Sequence, residues 1–222
     1  MPDTKLTWDN LRTHFRKWAI IYAVVLGTAL LIANLLWTTT TPQLPDERQV
    51  LICLAAARSD TAPLADLAGE MLERTQADFP EVASVEFESL PFLDSDYTGP
   101  ILLMSRLSTG ETDAFLADSS AMSALAQSDA CLPLDGLVDA GWLSGCGLEP
   151  LYTTAVDPDT GKTTTALSAL RLDRLHALMD RGAFDNQGAF LVVAANGRNI
   201  ESTLHALSVM VEKLMLEGEA HD

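Results

Sequence analysis

Positive charge is scarce in this sequence: 14 Lys and Arg stand against 31 Asp and Glu in 222 residues, a formal charge of −17. A nucleic-acid binder needs a basic patch to neutralise phosphates, and that class is excluded. Cysteine is scarce too, and three are too few for a disulfide-stapled scaffold. Aromatic residues make up 6% and the four histidines show no metal-ligand spacing with one another or with cysteine. No Gly-x-Ser-x-Gly elbow and no Cys–His pairing supports a nucleophile, so neither an enzyme nor a bound cofactor or metal is expected. What the chain does have is a globular hydrophobic fraction, 48%, which excludes disorder throughout.

The charge is unevenly placed. Residues 1–17 carry +2, residues 18–37 carry none, and residues 38–222 carry −19. The uncharged stretch is 20 residues long, and as a helix it spans about 30 Å, the thickness of a hydrocarbon core. Trp18 and Trp37 bracket it at the headgroup level, and Arg16 and Lys17 precede it, whereas no cation follows until Arg48. The positive-inside rule then predicts residues 1–17 as a cytoplasmic tail, 18–37 as a single transmembrane helix, and the rest outside the membrane. A cleaved signal sequence is the competing reading. Its apolar core is shorter, about 7–15 residues, and Leu35, Leu36 and Trp37 offer no small-x-small cleavage site.

Residues 38–47 hold four threonines and two prolines and read as an extended linker. The span 48–217 is long enough for one domain with a real core. Its continuous apolar run over 49–57 marks a strand buried on both faces, followed by a helix from Asp60 or Thr61 to Phe79. Alternation over 82–90 predicts a second strand, 99–107 a helix, 113–117 a third strand and 121–128 a helix capped by Asp118. A hairpin over 152–167, a helix over 172–179, a strand over 190–195 and a helix over 200–216 complete the order. The fold class expected is α/β: an N-terminal transmembrane helix, then a single three-layer lobe with a mostly parallel sheet.

Two segments carry a resemblance. One is GETDAFLADSSAMSALAQSDACLPLDGLV over 110–138, with a Gly-x-x-Asp turn, a strand, a capped helix and a Leu-x-Leu-Asp segment. The other is the strand, polar turn and helix over 190–214. This order resembles one lobe of the bacterial extracytoplasmic solute-binding proteins of ABC importers, the type II periplasmic-binding fold. Members of that family are about twice as long, because a second lobe lies between the two matched segments. Here the interval 142–189 is too short for one. The resemblance therefore implies a reduced, single-lobed domain without the closure of two lobes on a solute.

Ligands of open α/β sheets sit at the carboxyl ends of strands, which makes Arg58, Ser59, Asp60, Asp118, Ser119 and Ser120 the candidate ligand-binding residues. Plain helix capping accounts for Asp60, Asp118 and Ser119 equally well. The segment DPDTGKT over 157–163 is neither a phosphate loop, since Val156 replaces the first glycine, nor a calcium loop, since Gly161 and Ser168 replace ligands. Cys131 and Cys146 are a candidate disulfide outside the membrane, and Cys53 a buried apolar residue. The functional expectation is a non-catalytic accessory or interaction module at the bacterial cell envelope, its partners the membrane and a membrane protein such as an importer permease. The alternative is a low-affinity sugar or peptide binder whose cleft is completed by a partner or a dimer.

Overall fold

The computed structural model describes residues 8–40, 46–93, 97–128, 130–156, 163–185 and 187–219. The chain divides into two units, Met1–Gln43 and Leu44–Asp222. The first contains α1 (Trp8–Thr40), one unbroken helix through the end of the expected tail and the whole expected span. Its stretch Arg16–Asn34 is long and apolar enough to cross a membrane, a test that a signal sequence also passes. Its apolar side chains are exposed, Ile20 at 80% and Leu31 at 71%.

The second unit is built on one six-stranded sheet in the order β2-β1-β3-β6-β5-β4. The strands are β1 (Gln49–Ala56), β2 (Ser84–Pro91), β3 (Ala114–Ala117), β4 (Glu149–Val156), β5 (Thr163–Arg171) and β6 (Phe190–Val193). The expected parallel sheet is the half made of β2, β1 and β3. The other half is antiparallel throughout, β6 against β3, β5 against β6 and β4 against β5, so the sheet is mixed. For β4 and β5 the reason is connection length: they form a hairpin, and only a long crossover returns a strand parallel to its neighbour.

The helices are α2 (Ala65–Asp78), α3 (Thr98–Thr109), α4 (Ser119–Gln127), α5 (Ala140–Cys146), α6 (His176–Asp180) and α7 (Ile200–Glu219). Strand side chains alternate between the faces, so the strands feed two cores. Val50, Ile52, Leu54, Leu116, Leu191 and Val193 pack with Leu67 and Met71 of α2 and with Leu207, Met210 and Leu214 of α7. Cys53, Ala55, Phe115, Ala117 and Val192 pack on the opposite side with Leu103 of α3 and Leu125 of α4. Three layers result, and covering both faces of β1 explains its unbroken apolar run.

One irregularity keeps β5 in register with these cores. Leu151 pairs with Ala169 and Tyr152 with Leu167, leaving Ser168 as the extra residue of a bulge. Leu167 and Leu170 therefore share one core although they are three residues apart. The Ser168 hydroxyl is held 2.5 Å from that of Thr153.

Two expectations change. The helix expected over 172–179 is confined to α6, because the Leu172 amide still donates to the Ala189 carbonyl at 2.9 Å and holds the preceding turn in the sheet's extension. Helix α5 was absent from the sequence reading, although Asp139 caps it and Gly147, at φ 62°, closes it. The turn of the β4–β5 hairpin, 157–162, and the linker residues 41–45 lie outside the described residues.

Asp113 closes the amino end of the sheet. Its carboxylate accepts from the Leu51 amide at 2.9 Å and the Arg198 amide at 3.1 Å. Its own amide donates to the Leu51 carbonyl at 3.0 Å, and its carbonyl accepts from the Ala194 amide at 2.9 Å. Burial pushes this carboxyl above the ordinary aspartate range, while the Leu51, Arg198 and Asn199 amides pull it back. Gly110 packs close by at φ 64°, where a Cβ would come 3.0 Å from the Asn196 carbonyl.

The variant Asp113→Asn offers one acceptor oxygen for two amides and loses about 1–3 kcal/mol at neutral pH, read as a lower denaturant midpoint. A carboxyl with a raised folded pKa contributes stability that is complete below about pH 4 and lost as pH rises through the folded value. The wild-type advantage over Asp113→Asn is therefore expected to shrink from acid toward neutral pH. An advantage that grew over that range would contradict the assignment.

Candidate functional site

The candidate residues stand at the carboxyl ends of two neighbouring strands, where Ala55 of β1 pairs with Ala117 of β3. The Asp118 amide donates to the Ala55 carbonyl at 3.0 Å, so both groups begin from one rigid edge. Beyond it, Arg58, Ser59 and Asp60 line an open hollow of about 500 Å3 together with Met179 and residues 182–185. Arg58 is exposed at its rim.

Most polar groups at this edge are already engaged within the chain. Ser59 forms an antiparallel bridge with Phe184, and its hydroxyl lies 2.5 Å from that of Ser89. The Asp60 amide donates to the Ala183 carbonyl at 2.7 Å, while its carboxylate accepts from the Ala62 amide at 3.0 Å. The Asp118 carboxylate caps α4, accepting from the amides of Ser120 at 3.0 Å and Ala121 at 2.9 Å. The Ser119 hydroxyl donates to the Gly188 carbonyl at 2.8 Å.

One connection of the chain makes the contacts on both sides: Ala183 and Phe184 meet Asp60 and Ser59, and Gly188 meets Ser119. It is anchored from below. The Arg181 guanidinium donates to both Glu217 oxygens, at 3.0 and 2.6 Å, and to the Pro63 carbonyl at 3.2 Å. Leu172, Leu175, Leu178, Ala183 and Phe184 are buried. The Gly188 amide donates to the Asp173 carboxylate at 2.5 Å. A strap from the β5–β6 connection thus lies across the strand ends that an open sheet leaves to a ligand. The sequence reading did not find it. Its signal is the apolar content of 172–184, of which only 172–179 is assigned from the sequence, to a helix.

Among the described residues at this edge, the hydroxyls of Ser59 and Ser119 meet the Ser89 hydroxyl, the Leu54 carbonyl and the Gly188 carbonyl rather than a base. Burial pushes the Cys53 thiol up to about 12, with Arg106 lowering it and Glu88 raising it, and such a thiol is unreactive. Among the described residues no three His, Cys, Asp or Glu side chains converge as metal ligands do. Asp94 and Asp96, paired acids of the sequence, lie outside the described residues.

The expected link between Cys131 and Cys146 is not made, and the cysteines are present as thiols. The two sulfurs are drawn to different cores. Cys131 bridges to Ala194 and packs with the α3–α4 core, whereas Cys146 closes α5 within the α2–α7 core.

No family model matches the chain, and neither does any curated protein. Among solved structures it is similar to a TRAP periplasmic solute-binding protein from Ochrobactrum anthropi, at 10% identity and a TM-score of 0.27. That likeness covers 79% of this chain and 76% of the other, whose own C-terminus is bound in its ligand-binding pocket.

Asp118→Ala removes the acceptor for two amides at the start of α4 and is expected to cost about 1 kcal/mol. For a domain of this size that is a fall of about 2–4 °C in Tm by thermal melting. A larger fall on adding no ligand would mean that Asp118 holds more than a cap.

Proposed function

We propose that the chain is a membrane-anchored, non-catalytic interaction module whose acidic α/β domain faces the outside of the cell. The observation that carries this reading is the strap. The edge that would hold a solute is bonded to residues 183–188 through Ser59, Asp60 and Ser119. What is left there is an open hollow, and small-molecule sites are typically enclosed and convergent.

A surface for a partner lies on α3. Tyr97, Ile101, Leu102 and Met104 are exposed at 86, 66, 43 and 40% on one helix and its approach. Grouped apolar side chains of this kind mark contact surfaces more often than single ones do. With α1 as the anchor and −19 on the outer part, a neighbouring membrane protein such as an importer permease is the partner this reading favours.

Two measurements test it on the full chain. A thermal-shift screen with sugars, amino acids and peptides is expected to leave Tm unchanged, and a solute that raises it in a saturable way would establish the solute-binder reading instead. Ile101→Asp is expected to abolish co-purification of the membrane partner while Tm stays within about 2 °C, since exposed substitutions shift stability little. Retention of the partner by that variant would remove α3 as the contact.

A further inference from the structure

Along α7 the domain keeps two hollows that share one wall. The first, about 220 Å3, lies between the sheet and α7 and is lined by Leu170, Leu191, Val193, Leu204 and Leu207. The second, about 260 Å3, follows the same helix past Val211, Met215 and Leu216. Trp142 of α5 lines both. Interiors are otherwise close-packed, with few voids larger than a water molecule. Both hollows are partly open to solvent, as mostly apolar ligand clefts are.

We propose that these hollows form a binding site for one uncharged, linear alkyl or acyl chain, with Trp142 as the side chain against which it packs. Length supports a chain over a compact ring. From Leu204 to Met215 the helix rises about 16 Å, close to half of the roughly 30 Å hydrocarbon core and so to one lipid tail. The walls support an apolar occupant over water. The polar side chains of the first hollow are satisfied within the protein: Asp139 caps α5 at the Gly141 amide, and the Ser208 hydroxyl donates to the His205 carbonyl at 2.7 Å.

Charge decides the head group. Among the described residues that line the hollows there is no Lys or Arg, and the ionic ones are Asp139 and Glu212. Glu212 is engaged by Arg74 at 2.6 Å from outside the hollow. A carboxylate or phosphate head would meet no lining cation, since Arg74 is already held by Glu212, and an acidic domain around it, whereas an alcohol or ester carries no charge to desolvate. The site does not depend on the proposed function.

The test uses the full chain in phosphatidylcholine vesicles, with Trp8, Trp18 and Trp37 replaced by Phe so that Trp142 alone emits. A long-chain alcohol brominated at its far end is expected to quench Trp142 along a saturable curve. The matching brominated fatty acid is expected to bind at least about tenfold more weakly at neutral pH. Leu204→Phe, which fills the first hollow, is expected to weaken the alcohol by about tenfold or more while Tm holds or rises. Quenching that only grows linearly with the alcohol would overturn the site. So would equal quenching in Leu204→Phe of unchanged Tm, or equal binding of the acid. Because the readout is an alkyl chain at Trp142, its failure leaves the solute screen and the α3 contact untouched.

Discussion

A buried carboxylate is costly unless its oxygens are occupied, and at Asp113 the occupation ties β1 to the turn that leads into α7. Its oxygens take amides from β1 and from the turn before α7, and its backbone bonds to Leu51 and to Ala194, just past β6. The parallel half and the antiparallel half meet between β3 and β6, and at that seam no hairpin covers the change of direction. An antiparallel ladder, from Ala114 opposite Val193 to Ala117 opposite Phe190, joins them, and Asp113 ties off the end of that ladder where β3 begins. The crowding around it follows: Gly110 and Gly197 stand where a Cβ would come within 3.0 Å of the Asn196 carbonyl and 3.3 Å of the Ala194 carbonyl. Asn196 in turn donates to the Leu107 carbonyl at the end of α3.

With the amino end tied in this way, the character of the domain depends on the carboxyl end. An open α/β sheet presents backbone amides and capping residues there, and these either receive a ligand or are used by the protein. Here the use is internal on both strands. The strap supplies Phe184 to the bridge with Ser59, the Ala183 carbonyl to Asp60 and the Gly188 carbonyl to Ser119. Its own anchor is a bidentate Arg181–Glu217 pair with about a quarter of each side chain exposed, which makes it more than a surface ion pair. Each donor spent inside the chain is one a ligand does not receive.

Most elements of the fold were legible in the sequence because they rest on local periodicity. The run over 49–57 required burial on both faces, and Asp118 before Ser119 and Ser120 required a cap. What was not legible depends on distant partners. The end of β5 extends to Arg171 because Leu172 bonds to Ala189, so the helix expected from 172 begins four residues later at His176. The bulge at Ser168 appears only once β4 is in place to count against. The direction of β6 is set by its neighbour β3, which no window of sequence contains. The candidate residues were placed at the correct strand ends, but their engagement by 183–188 is a contact across about 70 to 125 residues of chain.

The same dependence on tertiary context governs the charge. An excess of −19 on residues 38–222 works against compaction and against the approach of any anionic surface. The few cations are placed where helices must meet: Arg74 reaches Glu212 and Lys213 reaches Glu70 between α2 and α7, and Arg181 reaches Glu217 from the strap. Cations used in this way hold the α2–α7 layer together. An anionic partner is thus disfavoured by the field. Contact between apolar groups escapes that cost. Apolar side chains are grouped along the exposed side of α3 and dominate the lining of the hollows beside Trp142, and burying such surface carries none of the charge penalty.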